Sequence, residues 1–226
     1  MPTFRLPLIL CLSLGLATAA WADARATLLA AAFQTRDKAQ AAAQVAGALK
    51  ESEAVLARDP ANGEAMLQHA LAVGYRGKLA RKPGDAKQAR REFEMLAQRR
   101  PRDPEVQMAL GGWHLEAVAE LGGFLAGSVL GAKKDAGYAA IDRAVALGGN
   151  RALFAAYAAL IRIRVDPEDV ARAAALAQRA QALPAPTAAD RVFQQAAARI
   201  AVPLRAGDGK AASALARQLL PFGRLG

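Results

Sequence analysis

The chain has 226 residues, with 30 Lys and Arg against 20 Asp and Glu, and its formal charge is +10. A single cysteine, Cys11, excludes an intrachain disulfide and a thiolate-cluster metal site, so packing alone must hold the fold. The length suits one domain with a real core, and the Ala- and Leu-rich composition supplies apolar surface to fill it.

Residues 1–22 read as a secretory signal: Arg5, an apolar run from Leu6 to Leu16, then small residues ending Ala20-Trp21-Ala22. The run is shorter than the roughly 20 residues a membrane-spanning helix needs, so cleavage near Ala22 and residence in the periplasm are expected. Leu10 before Cys11 argues against lipidation, where a small residue is wanted. The mature part, 23–226, then forms one domain that has lost only the charge of Arg5. Export removes the usual nucleic-acid partners of a basic chain. Anionic membrane surfaces, acidic polypeptides and wall polymers remain, beside the plain reading of scattered, solvated arginines.

After Asp23 the pattern is helical almost throughout, with too few β-branched residues to build strands. Asp59-Pro60 is the first punctuation, and Asp103-Pro104 and Asp166-Pro167 repeat it. Asp before Pro suits a helix start, because the carboxylate accepts free first-turn N–H groups while Pro lacks one. Helices are predicted from near Asp85, over 110–121, 136–147, 150–164, 171–183, 187–205 and 210–220. Extra segments are expected between helices at 76–84 and 122–134. The closing Leu219-Leu220-Pro221-Phe222 is apolar where a terminal repeat should be polar. It either folds under the last helix pair, the favoured reading, or meets a second copy.

Ala89, Phe93, Leu96 and Pro101, followed by Leu110-Gly111, fall on the spacing of a helix pair that shares its core with stacked neighbours. In this the chain resembles the tetratricopeptide repeat family, although the family's regular 34-residue period is not kept. The resemblance implies an all-α fold, a right-handed superhelical stack of about four to five antiparallel helix pairs. It also implies a groove that takes a peptide or a partner's helix. Proteins of the regulator-of-microtubule-dynamics type have a loosely similar Leu-Gly-x-Trp helix and linker.

The most individual stretch, 110–138, holds Gly111, Gly112, Gly122, Gly123, Gly127, Gly131 and Gly137. It fails as a phosphate loop, since no Gly-x4-Gly-Lys-Ser/Thr spacing exists. Its Gly-rich insert at 122–134 has three readings. It packs back on the groove, roofs a small-ligand cavity, or turns Phe124, Leu125, Val129 and Leu130 toward lipid with Lys133 and Lys134 at headgroups. His114 and Glu116, two apart on a helix, do not converge, and His69 adds no third metal ligand. Ser52, Ser128 and Ser213 lack a nucleophile elbow, and Glu51 with Glu53, or Glu92 with Glu94, are ordinary helical acids. A non-catalytic protein with no cofactor is expected. Candidate groove residues are Trp113, His114, Tyr75 and Tyr157, with Arg76, Arg81, Arg90 and Arg162 meeting acidic groups of a ligand. The expected function is an exported adaptor or scaffold module that binds a peptide or partner protein. The alternative is a small-ligand accessory of envelope transport.

Overall fold

Short polar side chains set where the helices begin. In the computed structural model, which describes residues 15–225, Asp37 accepts from the Gln40 N–H and starts α2 (Lys38–Leu56) after α1 (Gly15–Phe33). Asn62 starts α3 (Gly63–Ala80), and α4 (Pro83–Arg99) follows with Pro83 in its first turn. Asp103 accepts from the N–H groups of Glu105 and Val106 and starts α5 (Pro104–Leu121). The expected Asp-Pro device therefore operates as drawn only at α5. Asp59 instead accepts from Asn62 Nδ2, which moves the cap of α3 three residues on. Asp166 closes a turn on the Glu168 N–H.

Beyond α5 come the short α6 (Gly123–Leu125), a π-helical turn (Ala126–Leu130), and α7 (Lys134–Leu147). The chain continues through α8 (Ala152–Val165), α9 (Val170–Ala182), α10 (Ala188–Arg205) and α11 (Gly209–Leu219). The described residues contain no strand, and no helix among them is long and apolar enough to cross a membrane. The signal reading concerns residues of which 1–14 lie outside the described set. From Gly15, α1 runs through Ala22 without a break and buries Ala24 and Leu28 beyond it.

Neighbouring helices pack in chain order, α1 on α2, α2 on α3, α3 on α4 and α4 on α5, then α5 on α7, and onward from α8 to α11. The small residues of the sequence pattern sit at these contacts. Ala89, Phe93 and Leu96 are buried on α4. At the crossing of α5 and α7, a Cβ on Gly111 would lie 2.8 Å from the Gly137 carbonyl oxygen. One on Gly137 would lie 2.7 Å from Leu115. Only glycine allows this backbone approach.

One expectation about inserted segments changes. Residues 76–80 are not a spacer but the last turn of α3, so only Arg81 and Lys82 link it to α4. The Gly-rich insert at 122–134 holds α6 and the π turn, with regular hydrogen bonds of its own.

Helix α8 occupies the middle. Every residue from Ala152 to Ile163 is buried, under α5, α7, α9, α10 and α11. A helix apolar on all sides is stable only when surrounded in this way. Burying Phe154, Leu160, Ile161 and Ile163 stabilises the fold by roughly 1.5–3 kcal/mol each. Asp190, fully buried, fixes two helix starts at once. It forms a capping box with Thr187 for α10 and accepts from the Leu153 N–H at 3.2 Å for α8.

The first and last thirds of the chain also touch. Phe33 of α1 meets Phe193 of α10 edge-on at 5.1 Å, and the Phe222 N–H donates to the Ala32 carbonyl at 2.8 Å. The apolar tail thus divides its burial. Leu219 and Leu220 pack with the α8–α11 core, as the favoured reading expected, whereas Phe222 crosses to the core of α1–α5.

Candidate binding site

The buried stripe of Ala70, Val73 and Gly77 on α3 leaves Tyr75 and Lys78 facing the chain's last residues. Tyr75 holds Phe222 edge-on at 4.9 Å, and Lys78 Nζ donates to the Pro221 carbonyl at 3.2 Å. Together with the Ala32 carbonyl, this clasps a short non-helical segment by its backbone and one aromatic ring. Phe222 has φ +66°, in the left-handed region, so its own backbone is strained to reach the contact.

Lys78 also donates to Glu116 at 2.7 Å, and Arg164 of α8 donates to the same carboxylate at 2.6 Å while reaching Glu120. Burial pushes the Glu116 carboxyl up, but the pull of the two cations outweighs it and holds the group below its ordinary value. Tyr157 lies in the same interior, packed on Phe193 at 5.6 Å, and burial holds its hydroxyl neutral, well above the usual range. Burial likewise raises Tyr75.

The eight sequence-predicted site residues do not line one groove. Tyr75 faces the tail and Tyr157 is core. Trp113 meets His114 edge-on at 5.1 Å and lies under the Arg90 guanidinium at 5.9 Å. Arg90 Nη1 donates to the Leu130 carbonyl, and the Lys133 N–H donates to His114 Nδ1 at 3.2 Å, so Arg90, Trp113 and His114 form the seat of the 122–134 insert. Burial, with Arg90 and Lys133 beside it, lowers His114 to about 4 and keeps it neutral. Arg76 makes a two-pronged pair with Asp85. Arg81 ends α3 in the left-handed conformation, exposed. Arg162, 2% exposed, bridges Asp142 and Asp169 over the Tyr138 ring. It braces α8 against α7 and α9.

His69 and His114 do not share a site. His69 Nδ1 lies 2.8 Å from Glu92 Oε2, and that hydrogen bond raises it. A carboxylate-oriented histidine is half of an acid–base arrangement. However, the hydroxyls of Ser52, Ser128 and Ser213 all donate to backbone carbonyls rather than to a histidine. Among the described residues no three His, Cys, Asp or Glu gather as a metal site.

A second feature went unread in the sequence. At the start of α5 an open cleft of about 430 Å³ is lined by Arg25, Glu64, Arg100, Arg102, Asp103, Pro104, Glu105 and Arg151. Arg25 and Arg151 both pair with Glu105, at 2.7 and 2.9 Å, and Arg151 continues to Asp190. These residues come from α1, α3, the 100–103 link, the start of α5 and the turn before α8, and only those from 100 to 105 are close in sequence.

No protein-family model matches this chain, and no curated protein matches it either.

Proposed function

We propose that this chain is an exported, non-catalytic interaction module. In this reading its helix pairs α1/α2, α3/α4, α5/α7, α8/α9 and α10/α11 form a right-handed stack of tetratricopeptide type, and it acts in the periplasm after losing its signal. The ligand is a short extended segment of a partner protein, taken on the inner face between α1 and α3. One observation carries this reading: Tyr75, Lys78 and the Ala32 carbonyl already recognise such a segment in the chain's own Pro221-Phe222. A backbone-directed clasp with one aromatic pocket is a general way to hold an extended peptide. The tail then competes with the partner.

The test is a photo-crosslinking residue in place of Tyr75, in the native envelope, with and without Phe222→Ala. Adducts to another polypeptide that strengthen when Phe222 is removed support the reading. Adducts confined to the chain's own tail in both forms refute it.

A second reading rests on the arginine-lined cleft. Its volume falls in the range of small-ligand sites, and Arg102 has no acidic partner among the described residues. A small acidic molecule held there would make the chain an accessory of envelope transport. The insert is then no lid, since it sits at the other end of α5, about 25 Å away by helix rise. Native mass spectrometry of the processed protein decides this: a retained anionic molecule that is lost in Arg102→Ala supports it, and a bare chain does not.

A further inference from the structure

The 122–134 insert has two unlike faces. Its inner face is fixed: Ala126, Leu130 and Ala132 are buried, Arg90 holds the Leu130 carbonyl, and His114 holds the Lys133 N–H. Its outer face is apolar and open. Phe124 is 85% exposed and Leu125 52%, with Val129 and Leu121 beside them. Phe124, Leu125 and Val129 follow one another over little more than a helical turn, so they form one knob rather than scattered residues. Held from behind as it is, this knob cannot bury itself without breaking those bonds.

Cations gather at the same end of the molecule. Arg90, near the middle of α4, lies over Trp113, near the middle of α5, and the short 100–103 link makes the two helices antiparallel, so the start of α4 with Arg81, Lys82 and Lys87 lies toward the end of α5 that carries the insert with Lys133 and Lys134. Arg81, Lys82, Lys87 and Lys133 are exposed and have no ion-pair partner among the described residues. The nearby acids are mostly engaged: Glu94 by Arg90, Glu120 by Arg164, and Asp166 by Lys134. Asp135 and Glu168 on this end lack such a partner, which leaves the unpaired cations in excess.

We propose that this end of the molecule is a membrane-docking surface, with the Phe124 knob entering the interface of an anionic phospholipid bilayer and the four unpaired cations meeting its phosphates. An apolar knob alone would fit many partners, but the excess of unpaired positive charge at its end of the molecule selects a densely anionic, laterally uniform surface.

The experiment is partition of the protein onto vesicles of phosphatidylglycerol and phosphatidylethanolamine, compared with vesicles of phosphatidylcholine alone. The N-terminal apolar run is common to wild type and variants, so the difference between them isolates the insert. The expected result is binding to the anionic vesicles that falls about tenfold in Phe124→Ser with Leu125→Ser. Binding should fall several-fold more in raised salt or with Lys82→Glu and Lys133→Glu. Phe124→Trp gives an independent readout in a folded chain: its emission should shift to the blue with anionic vesicles and stay put with neutral ones. Equal partition of wild type and the double-serine variant, or an unmoved Phe124→Trp spectrum on anionic vesicles, overturns the proposal.

Discussion

Acid should loosen the seat of the insert through His114, and the size of the effect follows from its surroundings. In the fold its pKa is about 4, lowered first by burial and then by Arg90 and Lys133, whereas the unfolded chain titrates near 6.5. Above 6.5 both states are neutral and the stability is complete. Between about 6.5 and 4 the unfolded state takes up a proton that the folded state refuses, so stability falls as pH falls through that window. The shift corresponds to at most about 3 kcal/mol. The cause is local, because protonated Nδ1 would become a donor facing the Lys133 N–H, itself a donor. Urea unfolding followed by circular dichroism, from pH 7.5 to 4.5, should be run beside His114→Gln, which stays neutral and keeps an acceptor. Carboxylates held below their ordinary values, such as Glu105 and Glu116, lose their contribution only as pH falls below their unfolded range. His69, raised, loses its contribution as pH climbs through its folded value. Both backgrounds are common to the two proteins. Wild type should lose about 2–3 kcal/mol more than the variant over the window, and equal losses would refute the reasoning.

Gly111→Ala drives a methyl to within 2.8 Å of the Gly137 carbonyl and of Ile141, so α5 and α7 must part; a loss of about 1–3 kcal/mol in chemical denaturation is expected. Asp190→Ala removes the capping box of α10 and the first-turn partner of α8, leaving Glu105 as the one acidic partner of Arg151. Roughly 3 kcal/mol should be lost, visible as a lower midpoint in the same assay. Phe222→Ala should cost about 3 kcal/mol. Faster hydrogen exchange should then appear in the last turn of α1, far away in sequence, as the sign that the tail and not α11 carries the effect.

The helices were legible because their apolar spacing and stops are local properties. Ala89, Phe93 and Leu96 point into the core for the same reason that they matched a repeat pattern. Asp-Pro misled at residue 59 because a three-residue turn lets Asn62, equally good as a cap, take over. The binding residues were less legible because they depend on which distant helices meet. In sequence Glu116 stands beside His114, whereas its partners, Lys78 and Arg164, lie 38 and 48 residues away. Tyr157 and Arg162 looked like surface contacts because a tyrosine and an arginine usually are. On α8, which other helices surround, one packs on Phe193 and the other finds two aspartates. The knob at Phe124 was visible in sequence, but only its fixed inner face shows that it stays outside.

The joining of Phe33 to Phe193 and of Phe222 to Ala32 has a consequence for how such a protein can change over generations. An open row of helix pairs gains or loses members at its ends with little disturbance elsewhere, because each unit answers only to its neighbours. Here Ala32 and Phe33 of α1 are already taken by Phe222 and Phe193. A hairpin inserted between α10 and the 219–222 segment would have to evict Phe222 or wedge apart α1 and α10. Lineages of this chain should therefore vary by substitution and by the length of 122–134 rather than by helices inserted there.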